Sequence, residues 1–557
     1  MKKLHFQALA VSSLLMMSSV SYAEEMSPVS VFGSQDETQV AGSAHFISDE
    51  EMKAKGYTDA ERVLNRIPGV YSQTEDGYGL RTNLGMRGTS ALRTTKINIL
   101  EDGVPQGPAI YSNGSMYFFP DVGRMEGVEV LKGAAAIGNG PRTTAGTINF
   151  LSRSIPTSGN AGHYSATLGA DGFSRNHTYY GGNIGSIGYV FEYHDYRADG
   201  YKNIKGTGGN ADSGFDKQTD LAKLRWNYGG SWDQSFEFTS SNTTEKSNET
   251  YIGLSTADFH ANPYQRYASS AADQMTNDYH RYIFTHQMSP SENMTITSKL
   301  YKTRYSRLWG KMDRMFVDKE ANGIGAVSAV EFKNIDISDC SAYNSLTIEG
   351  RACNILTMQT TMDSNEYVRR AMGHRDYGMY GYDMKLNHVM GNHDMTFGYR
   401  HHHDYRNRMD NGISETWTLG SNNTYTNVTT EREASTAQER KSAWADSINI
   451  QDRITHGNFV TTLGVRYEDV EYDKIAKDQD AVVKYENSET MMAASTAYSM
   501  GEGKTAFIGY SQGYNPTGAS SVDPEESDNF EIGYRSRNAS GFMEVVAFYV
   551  DYDMLNE

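Results

Sequence analysis

Leu84-Gly85-Met86-Arg87-Gly88, Ile99-Leu100-Glu101-Asp102-Gly103-Val104-Pro105, Gly127-Val128-Glu129-Val130-Leu131-Lys132-Gly133 and Ala145-Gly146-Thr147-Ile148-Asn149-Phe150 follow one another in a single stretch of the chain. Each phrase is an apolar run of strand length, stopped by Gly or Pro where the backbone has to turn tightly. The spacing predicts strands at Ile97–Leu100, Val128–Leu131 and Gly146–Phe150, with a turn at Asp102-Gly103-Val104-Pro105.

Downstream of Gly159 the pattern changes. The chain is rich in Tyr (38 in all) and poor in Pro (11), and apolar residues alternate with polar ones. Tyr380, Tyr382, Met384 and Leu386 alternate with Gly381, Asp383, Lys385 and Asn387. Gly391-Asn392 makes a turn, and Met395, Phe397 and Tyr399 then alternate with Thr396, Gly398 and Arg400. This is a hairpin with one lipid-facing and one water-facing side. The pattern recurs at 221–228, 294–305, 459–468, 505–510, 530–535 and 543–549, and Tyr179, Tyr180, Tyr189 and Tyr193 suit interfacial girdles. Gly391-Asn392 and 537–541 read as short turns, 306–376 and 406–440 as long polar outer loops. A soluble sandwich also shows period two, but not hairpins alternating with such long polar loops behind an export signal.

Lys2 and Lys3, the apolar stretch 9–17 and Ser21-Tyr22-Ala23 read as a cleaved export signal over 1–23. The alternative is an anchoring helix, but that stretch is shorter than the roughly 20 apolar residues a bilayer needs. Hydrophobic residues are only 38% of the chain, which excludes a helical membrane protein and leaves a β-barrel open. The net charge of −18 argues against a nucleic-acid partner. The only two cysteines, Cys340 and Cys353, sit in the longest loop. Exported proteins meet oxidising conditions, so a disulfide is expected, and the lack of a second Cys pair or nearby His argues against a metal site. No nucleophile elbow, zinc-protease or P-loop motif is present, so no enzyme is expected.

The four phrases, in this order and at these separations, resemble the plug domain of TonB-dependent outer-membrane receptors. The stretch from Asp102 through Tyr111 and Gly140-Pro141 to Asn149-Phe150 and Ser152–Pro156 is most similar to the ferric dicitrate (FecA-like) receptors among them. The resemblance implies an all-β membrane protein: a large antiparallel transmembrane barrel of about 22 strands, occluded by an N-terminal α/β plug. The domains would be a signal peptide at 1–23, a TonB box segment at 24–35, a plug at 36–157 and a barrel at 158–557. Family members end on an aromatic residue in a closing strand, so an end at Asp553–Glu557 implies missing C-terminal strands.

The resemblance also assigns roles. Ser27, Pro28, Val29, Ser30, Val31 and Phe32 look like the TonB box, which adds as a strand to TonB, with its ExbB and ExbD energising complex. An ordinary disordered terminus is the alternative. Arg87 and Lys132 stand where the family places plug cations facing wall glutamates, for which Glu531 and then Glu468 are the candidates; solvated turn charges are the alternative. Arg93, Lys96, Tyr111 and Asn113 fall in the apical loops that meet ligand, where family citrate receptors use arginines and this chain has Lys96. The implied activity is TonB-dependent uptake of a ferric chelate, ferric citrate or a citrate-type siderophore, by a monomer in the outer membrane of a Gram-negative bacterium, contacting lipid and lipopolysaccharide, without a bound cofactor. Haem or another siderophore is the rival ligand. His401-His402-His403 supports it, though a solvated strand end explains that run and in a strand only His401 and His403 share a face. A passive porin or adhesin is the rival of another class.

Overall fold

Ser48 and Asp59 start the first two helices. Ser48 accepts from Glu51 N–H (3.2 Å) to cap α1 (Asp49–Lys55), and Asp59 accepts from Arg62 N–H (2.8 Å) to cap α2 (Ala60–Leu64). These details come from a computed structural model, which describes residues 40–206, 212–318, 327–344, 347–420, 424–432, 439–476, 482–516, 523–538 and 541–553. The expected leader and Ser27–Phe32 lie outside the described residues.

The helices follow β1 (Ser43–Ser48) and pack on a small mixed sheet. A two-stranded ribbon, β2 (Val70–Ser72) with β3 (Leu84–Met86), precedes β4 (Ile97–Glu101), β5 (Val104–Pro105), β6 (Gly127–Lys132) and β7 (Gly146–Leu151). The sheet order is β1-β6-β7-β4-β5, with β4 and β7 parallel and the other neighbours antiparallel. Asp102 and Gly103 join β4 to β5 with φ of 55° and 73°, the left-handed pair a two-residue hairpin needs. Ile97, Ile99, Val128, Val130, Ile148 and Phe150 share one core with Met52, Val63 and Leu64 of the helices. Every residue of β4 and β6 is buried, because the sheet's other face meets the wall around it.

That wall begins at Asn160–Leu168 and proceeds by antiparallel neighbours, in chain order, to Gly541–Asp553. The sheet curls until its last strand stands beside its first, and registered ladders join the consecutive strands in between. Strand Ile187–Ala198 shows the alternation: Val190, Glu192, His194 and Tyr196 are buried, whereas Ile187, Phe191 and Tyr193 are exposed. Turns of two or three residues close one end, as at Gly391, whose φ of 61° suits its tight reversal between Met390 and His393. No helix among the described residues is long and apolar enough to cross a membrane.

The wall departs from expectation at its other end. Strand Met294–Asp318 runs far past Tyr305, its partner Tyr367–Met390 begins before Asp376, and His393–Leu419 continues past Arg406 to pair with Tyr425–Arg432. Most of 406–440 and both flanks of 306–376 are therefore ladder. Beyond the lipid zone both faces of a strand meet water or protein, so alternation of apolar residues disappears while backbone pairing continues.

The remaining connection is not a plain polar loop either. Cys340 and Cys353 are joined by a disulfide that ties the helix α3 (Ile348–Leu356) in place. Ala352, Cys353, Ile355 and Leu356 of α3 pack into a separate apolar core with Ile252, Tyr267, Met312, Met315, Trp417 and Tyr425 on the wall's upper rim. Replacing both cysteines (Cys340→Ser with Cys353→Ser) should cost this outer unit about 2–3 kcal/mol. Limited proteolysis would then cut near α3 at lower protease concentration than in the parent, while the heat-modifiable gel mobility of the barrel stays unchanged.

Candidate functional site

Small apolar contacts, such as Val104 with Ile283 and Ile137 with Met491, join the plug to the wall, but many of the wall's inward positions are charged and these pair with the plug. Arg87, at the end of β3 with φ 51°, sends Nη2 to within 2.5 Å of Glu531 Oε2 on strand Glu525–Asn538, and both side chains are almost wholly buried. Glu531 points inward between the exposed, outward Phe530 and Ile532. Lys132, at the end of β6, is also buried, but its Nζ donates to the Pro68 carbonyl (2.6 Å) within the plug rather than to a wall carboxylate. Burial first, and the Arg87 charge second, hold its ammonium down to about 7.

Glu468 does not face either cation. It is buried on the wall, paired with Arg466 and accepting from Tyr111 Oη (2.6 Å). Tyr111 is itself buried, its backbone N–H and that of Ser112 donating to Asp404 (2.7 and 3.0 Å). Lys96 is likewise buried, with its ammonium against Glu525. Lys96 and Tyr111 thus stand at the junction of plug and wall instead of an open apical face. Their loops read as solvated in sequence because nothing local reveals the carboxylates opposite them.

Further pairs were not anticipated. Arg81 meets Glu245 (2.6 Å) and Glu249 (3.0 Å), Asp121 meets Lys217 (2.7 Å), and Glu101 takes both Arg124 (2.7 Å) and Arg281 (2.6 Å). Lys223 of the wall also reaches Asp102 (3.4 Å), and a signal existed for it and for Arg281: Lys223 stands between Ala222 and Leu224, and Arg281 beside Tyr282, so alternation against outward apolar neighbours aims each charge inward. Elsewhere the contact is looser. A cavity of about 270 Å³ separates Ala135, Gly138 and Asn139 from Lys299, Arg400, Gln451 and Arg466 of the wall. Here wall cations reach plug carbonyls: Lys299 to Asp102 O (2.7 Å), Arg400 to Gly140 O (2.9 Å) and Arg466 to Gly138 O (3.4 Å).

The apex carries the other cluster. Arg93 holds Glu75 with both terminal nitrogens (2.6 and 2.9 Å) and lies 5.1 Å from the Tyr117 ring centre. Arg307 of the wall stacks on Tyr117 at 3.8 Å, and Lys311 lies over Tyr251 (3.9 Å) and Trp309 (4.4 Å). Burial would raise the Tyr117 phenol, but Arg307, Arg93, Arg375 and Lys311 outweigh it and hold the group below its ordinary value. Arg307 is 3% exposed, and its Nε and Nη1 have no hydrogen-bond partner. Asn113 accepts from Arg406 Nη1 (2.9 Å), and its Nδ2 is unsatisfied.

The histidine run splits as strand geometry requires, but it is not a solvated strand end. His402 is fully buried, between Tyr301 Oη (2.7 Å) and Asp404 (3.2 Å), while His401 pairs outward with Asp446 and His403 packs on Trp444. Among the described residues no group of three or more His, Cys, Asp or Glu is arranged to hold a metal ion.

Truncating Arg87 to Ala leaves Glu531 charged and unpaired in a buried site, at a cost of about 3–5 kcal/mol. Hydrogen exchange should quicken in β2 and β3, and Arg87→Met with Glu531→Met should restore much of the protection; a single variant as protected as the parent would show the pair to be idle.

Residues 36–147 match the TonB-dependent receptor plug domain, and residues 134–555 match the β-barrel of TonB-dependent receptor-like proteins. The vitamin B12 transporter BtuB of Vibrio vulnificus (strain YJ016) is 27% identical over 247 residues, which cover 41% of this chain and 38% of that protein. The match therefore spans well under half the length of that curated relative. Among solved structures, the ferric citrate transporter FecA in its unliganded form is 18% identical, with 93% of this chain and 70% of that chain covered and a TM-score of 0.68. The ferric yersiniabactin uptake receptor FyuA of Yersinia pestis is 14% identical, with 92% and 72% covered and a TM-score of 0.64. The open form of the ferric-catecholate import receptor Fiu of E. coli K12 is also 14% identical, with 94% and 76% covered and a TM-score of 0.66. These structural likenesses concern the fold, whereas the two family matches together take in almost the whole chain: it belongs to the TonB-dependent receptors, which are transport receptors and not enzymes.

Proposed function

We propose that the protein is an outer-membrane receptor that takes up a ferric chelate carrying negative charge, of the citrate or citrate-type siderophore class. The observation that carries this reading is the buried guanidinium of Arg307, whose Nε and Nη1 lack hydrogen-bond partners and which stacks on Tyr117 beside Arg93 and Lys311 at the apex. A buried cation without a counter-charge is costly, and an anionic ligand that supplies carboxylates relieves that cost on binding. Arg93 and Asn113 keep the ligand-facing roles, with Arg307 and Lys311 added from the wall. A chain that fills its barrel with a charge-seated plug has no open diffusion path, which favours energised uptake over a passive pore. His402 already spends its ring nitrogens on Tyr301 and Asp404, which speaks against haem ligation by that run.

In this reading TonB engages Ser27–Phe32 from the periplasm by strand addition and draws on the proton-motive force to move part of the plug. Arg87–Glu531 then acts as a lock whose rearrangement is costly but reversible.

Calorimetric titration of the receptor with ferric dicitrate, haem and a ferric hydroxamate tests the ligand class. Arg307→Ala should weaken ferric dicitrate binding by about 10- to 100-fold, the equivalent of one charged hydrogen-bonding group. Equal affinity in parent and variant, or binding of haem alone, would overturn the assignment. Deleting Ser27–Phe32 should abolish uptake of radiolabelled ferric citrate by cells while leaving that binding unchanged; uptake that survives the deletion would refute the TonB coupling.

A further inference from the structure

Arg93 already has a carboxylate. Glu75 meets both of its terminal nitrogens, at 2.6 and 2.9 Å, in the paired geometry by which a guanidinium takes up a carboxylate. The Arg93 backbone is fixed on both sides: its N–H donates to Asn83 Oδ1 (3.0 Å), and its carbonyl accepts from Met116 N–H (2.9 Å). The side chain so presented lies 5.1 Å from the Tyr117 ring centre and 5.8 Å from that of Trp309, the two rings that Arg307 also covers. Glu75 therefore sets a carboxylate of the chain itself into the apical cluster of cations and rings.

The segment 73–83 that carries Glu75 closes on itself. Gln73 N–H donates to the Asn83 carbonyl (3.0 Å), and Asn83 Nδ2 donates to Gln73 O (3.1 Å) and to Glu75 Oε2 (3.2 Å). Asp76 accepts from the N–H groups of Tyr78 (2.6 Å) and Arg81 (2.7 Å), and Arg81 pins the segment to Glu245 and Glu249 of the wall. A carboxylate held in this way acts on Arg93 at a high effective concentration. The pair can still open. Its side chains are 18% and 30% exposed, so Glu75 returns to water without burying a charge, and an ion pair that water reaches is weak. We propose that Glu75 is an internal competitor of the ligand, holding Arg93 until a carboxylate of the chelate takes its place, and that it thereby sets which chelates the receptor accepts. The proposal rests on the reading of the apex as an anion site. A chelate rich in carboxylates exchanges one carboxylate for another at Arg93 and gains Nε and Nη1 of Arg307 besides. A chelate that offers only neutral oxygens does not displace Glu75 and leaves Arg93 unused.

Calorimetric titration of the detergent-purified receptor with ferric dicitrate and with ferrichrome, an uncharged hydroxamate chelate without carboxylates, tests this; heat-modifiable gel mobility confirms that each variant is folded. Glu75→Gln should tighten ferric dicitrate binding about tenfold and leave ferrichrome binding as it is in the parent. Arg93→Gln should weaken ferric dicitrate binding, and Glu75→Gln added to it should bring no gain, because the competitor then has nothing to occupy. That cycle separates competition for Arg93 from plain repulsion between like charges. Ferric dicitrate binding no tighter in Glu75→Gln, an equal gain for ferrichrome, or the same gain in the Arg93→Gln background would each overturn the proposal while leaving the anion site standing. Ferric dicitrate binding by neither the parent nor Glu75→Gln would overturn the anion site itself, and the proposal with it.

Discussion

A strand in hydrocarbon has to satisfy its backbone through neighbouring strands and send its apolar side chains outward. The rest of this molecule follows from that constraint. Once the outward positions belong to lipid, the wall's charged groups can stand only inward, and Arg281 and Arg535 of the wall, with Arg81 and Arg124 of the plug, become some of its most deeply buried side chains. Buried charge without a partner is untenable, so the plug has to present the complementary groups. It does so with Arg87, Lys96, Glu101, Asp102 and Asp121, each set on or beside a short strand or turn of its small sheet. The apolar core that holds the plug together is separate and ordinary; the polar surface around it is what fits it to one enclosure.

The same constraint decides what could be read from residues alone. The plug strands were legible because Gly and Pro punctuate them, and the hairpin around Gly391 because its alternation is sustained on both arms. Glu531 was legible as an inward carboxylate from its apolar neighbours. Lys96, Tyr111 and Glu468 were not placed, because their partners lie hundreds of residues away and no local pattern encodes which wall strand faces which plug turn. The extent of strands beyond Tyr305 and Arg406 was hidden for a different reason: where neither face meets lipid, the composition of a ladder and that of a loop converge. The apical cluster sat between these cases. Arg307 and Trp309 occur in an alternating strand, but only their convergence on Tyr117 gives them meaning.

The outer rim adds a second principle of construction. The disulfide-tied helix does not float over the entrance. Its apolar side shares a core with Trp417 and Tyr425 of the extended strands. The vestibule wall is thereby stiff on this flank, and the cations of the apex are held by stacking on aromatic rings as well as by charge. A guanidinium fixed in that manner loses little freedom when an anion arrives, which is the advantage of preorganisation.

The seam at Gly138–Gly140 has its own consequence for how this sequence can change over time. Arg400 and Arg466 grip peptide oxygens there, and every residue type supplies the same oxygen. Chemical identity along that segment is thus largely invisible to the wall, but bulk is not: a methyl group on Gly140 would stand 2.6 Å from Arg466 Nε. Descendants of this chain are therefore free to vary in character along the seam, provided that its narrowest point stays slender.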